Sequence, residues 1–255
     1  VDFVSYQKIG LICAMEEEIR LLERDMQAEQ TSVIAGRTFY EGVLYGRPVT
    51  LVQSRIGKVA AASTATTLLD RFGVDCVIFC GTAGGIAPDL HTGDVVVADK
   101  LVQHDFFDGV GWFRIPLLDK SYFETEPVLT EGIRRAVIEY VRDRLKQEIP
   151  QAHLDEFRIS DPKVVTGTVV TGDQFICDPE KNRWIAEQVD NAKCVEMEGA
   201  AVAQICYEFG IPCAVVRVVS DGANDNSNLD FERFVSEAAC HFTRGALKAF
   251  LENAE

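Results

Sequence analysis

Apolar residues fall along this chain in short blocks that alternate between two spacings. Residues 8–14 form a continuous apolar run of the length of a buried strand, and from 16 to 26 apolar positions recur at helical spacing, predicting a strand followed by a helix. Residues 32–36, 38–45 and 48–54 alternate or run β-branched between Gly and Pro punctuation, which predicts a meander of strands. The Ala-, Thr- and Leu-rich stretch 57–72 predicts a closely packed helix, and 75–80 a strand that enters a glycine-rich turn at 81–85. Further strands are expected at 93–99, 163–170 and 212–219, and helices at 127–147, 197–209 and 229–251. Residues 104–126 show no single period and predict a long loop with short elements. Strands separated by helices predict an α/β fold, a three-layer α/β/α domain over residues 1–255. Its central sheet is expected to be mixed and twisted, because the meander adds antiparallel pairs to parallel crossovers.

Composition narrows the function classes. With 47% hydrophobic residues and no Pro/Gly/Ser-rich linker, the chain has material for one sizeable core and no division into halves. Forty acidic against 25 basic residues give a formal charge of −15, which repels phosphate backbones and anionic headgroups. A general nucleic-acid or membrane-surface role is excluded on that basis, and a neutral or cationic small ligand fits better. No stretch reaches the roughly 18 consecutive apolar residues of a spanning helix, so a soluble protein is expected. The 8 cysteines lie mostly inside apolar runs, the 4 histidines are scattered, and no CxxC pair occurs. Reduced thiols, a cytoplasmic setting and no zinc site follow. The chain begins Val1-Asp2-Phe3, a start that a removed export signal would also leave, so an exported form stays open.

Ligands of open α/β sheets bind beyond the carboxyl ends of the strands, so the residues after each apolar run matter most. They are Met15-Glu16-Glu17-Glu18, Gly81-Thr82-Ala83-Gly84-Gly85, Thr171-Gly172-Asp173-Gln174-Phe175, Glu196-Met197-Glu198 and Ser220-Asp221. All but the glycine-rich segment supply a carboxylate, which points to acid/base chemistry by carboxyl groups. Acids are also favoured in a helix's first turn by the macrodipole, but helical phase singles out Glu18, three residues after Met15 and on the same side. The segment 81–85 is neither GxGxxG nor a P-loop, and a turn explains it equally well. Glu196-Met197-Glu198 puts an acid straight after Cys194-Val195, at the entry to the small-residue helix that begins Gly199-Ala200-Ala201, and a carboxylate buried there needs a partner such as a sugar hydroxyl. Ser-Asp-Gly at Asp221 is also turn chemistry, and a lone Phe175 belongs to a core as readily as to a stacking platform.

Taken together, several stretches resemble the 5′-methylthioadenosine/S-adenosylhomocysteine nucleosidases of the purine nucleoside phosphorylase and uridine phosphorylase superfamily. They are Ile9-Gly-Leu-Ile-Cys-Ala-Met-Glu-Glu-Glu18, Ser54-Arg-Ile-Gly-Lys-Val-Ala-Ala61, Gly81-Thr-Ala-Gly-Gly-Ile-Ala-Pro88, Gly93-Asp-Val-Val-Val97 and His104-Asp105. Thr171-Gly-Asp-Gln-Phe-Ile176, Val195-Glu-Met-Glu-Gly-Ala200, Val215-Val-Arg-Val-Val-Ser-Asp221 and Asn228-Leu-Asp-Phe231 continue the match over most of the chain. The resemblance implies a nucleoside phosphorylase-like fold and hydrolysis of the N-glycosidic bond of 5′-thio-substituted adenosines, with no metal and no organic cofactor. By the same resemblance, Asp221 protonates N7 of the leaving adenine, and Glu18 deprotonates the attacking water, helped by Arg217 and Thr82. Glu198 accepts hydrogen bonds from the ribose hydroxyls, near the developing oxocarbenium charge. Phe175 stacks on adenine and the Ile176 backbone reads its edge. Met15, Ile56, Met197 and Phe231 line the ribose and 5′-thio pocket, and Ser220 contacts substrate.

A homodimer is also expected, with the segment 104–116 near the neighbouring active site, since Phe106, Phe107, Trp112 and Phe113 would otherwise be exposed together. That segment departs from the family pattern. Preference among methylthioadenosine, S-adenosylhomocysteine, 5′-deoxyadenosine and a 6-amino-futalosine-like nucleoside therefore stays open, with Trp112 and Phe113 as candidates for setting it. Two other functions compete. A phosphorylase on the same fold needs cationic groups for phosphate, where Glu16, Glu17 and Glu18 would repel it. A nucleoside-binding protein without turnover has no need of Glu18, Glu198 and Asp221 together.

Overall fold

In the computed structural model, which describes residues 6–109, 111, 113–222 and 228–253 and leaves out the side chains at 221, 222 and 228–230, the first half of the chain follows the expected order. It runs β1 (Ile9–Cys13), α1 (Glu16–Asp25), β2 (Gln27–Ile34), β3 (Arg37–Leu44), β4 (Arg47–Gln53), α2 (Lys58–Phe72), β5 (Cys76–Gly85), β6 (Val95–Gln103) and β7 (Tyr122–Glu124). The second half runs α3 (Pro127–Asp143), α4 (Leu145–Glu148), α5 (Gln151–Glu156), β8 (Val164–Thr171), α6 (Pro179–Gln188), β9 (Ala192–Glu196), α7 (Gly199–Phe209) and β10 (Cys213–Gly222). It closes with α8 (Asn228–Phe234), a π-helical turn Val235–Ala239 and α9 (Cys240–Asn253).

The continuous apolar run of β1 has a simple cause. The strand pairs in parallel with β4 on one side and β5 on the other, and it is buried at every position. A strand covered on both faces has no polar side to display. Alternate residues feed two separate cores. Leu11, Cys13 and Ile78 face the layer of α1, α3 and α9, whereas Ile12, Val77 and Phe79 face the layer of α2 and α7. The result is the expected α/β architecture, helices on both faces of a mixed sheet.

β2, β3 and β4 form the expected antiparallel meander. Two-residue turns join them at Ala35-Gly36 and Tyr45-Gly46, each with both φ positive, the geometry that matches strand twist. β2 begins earlier than the sequence predicts because its first five residues are exposed and all but Ala28 are polar, so no apolar alternation marks them.

The larger departure is at 81–85. The glycine-rich segment is strand, not turn: β5 continues through it, and Gly84 and Gly85 pair with β9 on one side and with Asp221 and Gly222 of β10 on the other. β10 also pairs with β6, β6 with β8 and β8 with β9, so β5, β10, β6, β8 and β9 close into a ring. A register shift between Val219 and Asp221 bulges β10 at its exit from this ring. The carboxyl ends of β1, β5, β8, β9 and β10 open toward one cleft.

Helices also end where local chemistry dictates. The Glu126 carboxylate accepts the Leu129 N–H ahead of Pro127, starting α3, which stops at Arg144 rather than running to 147. α7 starts at Gly199, two residues later than expected, for a reason that belongs to the site. α5 and α6 lie where the periodicity predicts no helix. Among the described residues, no helix is long and apolar enough to cross a membrane.

Candidate active site

The cleft at the strand ends has an empty volume of ≈ 670 Å³, including solvent at its mouth. Met15, Glu18, Ile56, Thr82, Phe175, Ile176, Met197, Glu198, Ser220 and Phe231 all line it, so ten residues singled out from the sequence meet in one place. Glu16 and Glu17 are exposed while Glu18 is buried, as the helical phase requires.

Glu18 is held from two strand ends. Its Oε2 accepts the Ala14 and Met15 N–H groups, each at 3.1 Å, and its Oε1 accepts the Thr82 N–H at 2.8 Å and the Thr82 hydroxyl at 3.1 Å. Gly81 permits this approach, because a Cβ there would sit 2.9 Å from Oε1. Burial pushes the Glu18 carboxyl above the ordinary range, while the Arg217 charge and the Thr82 and Met15 hydrogen bonds oppose that shift. A carboxylate whose proton affinity is raised by burial suits a general base.

The segment 196–198 divides its two acids between different tasks. Glu196 turns inward: its carboxylate accepts the Glu198 N–H at 3.1 Å and the Gly199 N–H at 2.8 Å, and the Thr171 hydroxyl donates to it as well. By taking these N–H groups it fixes the start of α7 at Gly199. Arg217 donates to Glu196 Oε2 from Nη2 at 2.6 Å and from Nε at 3.2 Å, with both side chains buried. The remaining Arg217 nitrogen donates to the carbonyls of Phe79 and Val216, and the guanidinium lies 4.0 Å from the centre of the Phe79 ring. Glu198 faces the cleft, and its Oε1 accepts the Gly57 N–H at 2.8 Å. Burial first, and the charge of Glu196 second, push the Glu198 carboxyl up to about 8.

Arg217 therefore stands apart from the other sequence candidates. Its guanidinium is spent on Glu196 and on backbone carbonyls, and it is not among the residues that line the cleft. It acts on Glu18 and Glu198 through its charge and through Glu196. The acid after Val195 is buried as expected, but its partner is Arg217 and not a sugar hydroxyl, and the signal for that pair is a cation inside the apolar run Val215-Val216-Arg217-Val218-Val219, which requires a buried counter-charge.

The lip of the cleft is Gln174-Phe175-Ile176. Phe175 is 56% exposed and meets Phe231 edge to face, with ring centres 6.0 Å apart. The loop that carries it is tied down by Lys58, whose ammonium donates to Asp105 at 2.7 Å and whose N–H donates to Asp173 at 2.9 Å. Asp105 also accepts the Asp173 N–H. Asp221 lies opposite Gly84 at the end of β10, and its side chain is outside the described part of the structure. Ser220 donates to the Ala83 carbonyl at 3.3 Å.

The segment 104–116 differs from expectation. Phe113 is buried against Trp184 with ring centres 6.4 Å apart, Phe106 is half-buried, and Phe107 remains exposed. Trp112 lies outside the described residues. The aromatics therefore do not form one exposed cluster, because Phe113 packs into the core of its own chain.

Comparison with known proteins places this geometry. The model of the phosphorylase superfamily matches residues 8–252. The chain is 38% identical over 237 residues to the 5′-methylthioadenosine/S-adenosylhomocysteine nucleosidase of Geobacillus thermodenitrificans, covering 92% of each protein. It is 36% identical over 236 residues to the protein of the same name from Anoxybacillus flavithermus, covering 91% of this chain and 93% of that one. In structure it is similar to the Neisseria meningitidis nucleosidase of that name in complex with methylthio-immucillin-A, with a TM-score of 0.83 at 30% identity and coverage of 96% and 99%.

Proposed function

The chain belongs to the phosphorylase superfamily and, within it, to the 5′-methylthioadenosine/S-adenosylhomocysteine nucleosidases, and from that premise we propose how its cleft works. It hydrolyses the N-glycosidic bond of 5′-thio-substituted adenosines, releasing adenine and the thioribose. The observation that carries hydrolysis over phosphorolysis is the charge of the cleft. Glu18 and Glu198 line it, and no Lys or Arg does among the described residues. The nearby Arg217 is already neutralised by Glu196. A phosphate dianion finds repulsion there, whereas a water molecule finds a base.

Glu18 takes the proton of the attacking water, with the Thr82 hydroxyl alongside to orient it. Glu198 accepts hydrogen bonds from the ribose hydroxyls, and in its ionised form it stabilises the oxocarbenium-like transition state. Asp221, assigned by resemblance, donates a proton to N7 so that adenine leaves neutral. Phe175 covers the base at the lip, Ile176 offers its backbone to the base edge, and Ser220 contacts the substrate. Met15, Ile56, Met197 and Phe231 enclose the ribose and the 5′-thio group. A homodimer belongs to the same proposal, supported by the exposure of Phe107 at 52% and Leu117 at 103% on the loop after β6.

The test is product analysis with methylthioadenosine in phosphate-free buffer. Free adenine and methylthioribose should appear at a rate that added phosphate leaves unchanged. A strict phosphate requirement, with a sugar 1-phosphate as product, would overturn hydrolysis.

A further inference from the structure

Two consecutive residues at the start of α2 hold two different parts of the cleft. The Gly57 N–H donates to Glu198 Oε1 at 2.8 Å, and the Lys58 N–H donates to Asp173 Oδ1 at 2.9 Å. Both belong to the N–H groups that a helix's first turn leaves without an intrahelical acceptor, so two carboxylates satisfy them. Glu198 stands on the ribose side of the cleft in the function proposed above. Asp173 stands two residues before Phe175, on the loop that forms the lip.

The Lys58 side chain closes the arrangement into a ring. Its ammonium donates to Asp105 Oδ1 at 2.7 Å and lies 3.8 Å from Asp173 Oδ2, while Asp105 Oδ2 accepts the Asp173 N–H at 2.8 Å. Three segments distant in sequence, the loop after β6, the loop after β8 and the start of α2, thus meet on one cation. The Lys58 and Asp105 side chains are 17% and 18% exposed, so water screens their attraction only in part. Burial works against the charge of Asp105, but the Lys58 ammonium and the Asp173 N–H outweigh it and hold the carboxyl below its ordinary range. The stem of the lip is tied as well: the Thr171 carbonyl accepts the His104 N–H at 2.9 Å, and the Gly172 N–H donates to the Glu196 carbonyl at 3.0 Å. Between that stem and Phe175, the Lys58 ring is the anchor that joins the lip to α2.

Lys58 is not among the described residues that line the cleft, so it acts through what it holds. We propose that Lys58 is a positioning residue for the adenine: its ammonium, by pinning Asp105 and Asp173 together, fixes the Phe175 lip in register with Glu198, so that base and ribose are held at one spacing. The proposal rests on the nucleosidase function given above. A base held in the same way before and during bond cleavage gains uniform binding, which appears in KM and not in kcat.

The test is Lys58→Met, which keeps the helix start and both N–H bonds but leaves Asp105 and Asp173 without their cation. KM for methylthioadenosine should rise about fivefold to fiftyfold, the range for a charge-assisted hydrogen bond at a partly buried site, with kcat kept within about twofold. The dissociation constant of free adenine, measured by calorimetry, should rise by the same factor. The double variant Lys58→Met/Asp105→Asn should recover most of the loss, because the lone charge is gone and the amide oxygen still accepts the Asp173 N–H. A chain that had only folded less well would gain nothing from the second substitution. An unchanged KM in Lys58→Met, a loss carried by kcat, or a double variant no better than the single one would overturn the positioning role, while normal turnover by the unaltered protein left the nucleosidase function standing. Failure of the unaltered protein to release adenine from methylthioadenosine would overturn both.

Discussion

Glu18 and Glu196 are the same side chain, buried to 2% and 7% exposure beside the same cleft, yet their surroundings are opposite. Glu18 is surrounded by neutral donors, the N–H groups of Ala14, Met15 and Thr82 and the Thr82 hydroxyl. Glu196 has a buried guanidinium at 2.6 Å and serves as a bracket for the start of α7. Desolvation thus works against the charge of Glu18, whereas Arg217 compensates that of Glu196. The difference separates the group proposed to exchange a proton from a group that holds the frame. It also explains how Glu198, two residues further on, can face the cleft: Glu196 holds its N–H while Gly57 holds its carboxylate.

Substitutions can break this contrast. The largest effect is expected from Glu18→Gln, which keeps the shape and removes the base. Turnover of methylthioadenosine should fall about 100- to 10,000-fold, while the melting temperature changes little, because the N–H bonds that the amide nitrogen cannot accept offset the removal of a desolvated charge. Steady-state kinetics and calorimetry on the same sample check both halves. Next in size, Glu196→Ala strands Arg217 without a counter-ion, and such losses cost about 3–5 kcal/mol. At about 2–4 °C per kcal/mol for a chain of this size, thermal unfolding should shift down by about 6–20 °C. If Glu18→Gln proved the more destabilising of the two, the contrast would be reversed.

A smaller effect concerns pH. Because the folded state raises the Glu198 carboxyl to about 8, it binds that proton more tightly than the unfolded chain does. The contribution to stability is full below the ordinary glutamate range and is lost as pH rises through about 8. Thermal unfolding followed from pH 5 to 9 should show that decline in the unaltered protein and a flatter profile in Glu198→Gln. Parallel profiles would assign the decline to other groups.

The same contrast marks how far the sequence could be read. Glu18 was legible because α1 is regular, so its phase relative to Met15 fixed which of three consecutive acids turns inward. The partner of Glu196 was not, because Glu196 ends β9 and only two residues separate it from α7, so neither period carries through it. Arg217 stood out as a charge in an apolar strand, but its partner lies 21 positions away and only the β-ring brings them together. The glycine-rich 81–85 read as a turn since small residues signal turns locally; their role in β5 is to let three strands meet, a tertiary demand. α6 escaped notice because only Asn182 and Ile185 of its ten residues are buried, leaving too thin an apolar stripe to register. The order of strands and helices along the chain and the convergence of acids at strand ends were legible, since both follow from where buried runs stop.

The central claim is that Glu18 acts on the water and a different group, Asp221, acts on the leaving base. Its most direct test measures kcat/KM for Glu18→Gln and Asp221→Asn on methylthioadenosine and on a 5′-thioriboside whose leaving group is 4-nitrophenolate. That phenolate departs with little need of a proton, so Asp221→Asn should lose about 100- to 10,000-fold on methylthioadenosine and far less on the aryl substrate. Glu18→Gln should be crippled on both, since each needs an activated water. Equal losses by Asp221→Asn on the two substrates, or an aryl substrate turned over freely by Glu18→Gln, would contradict the division of labour.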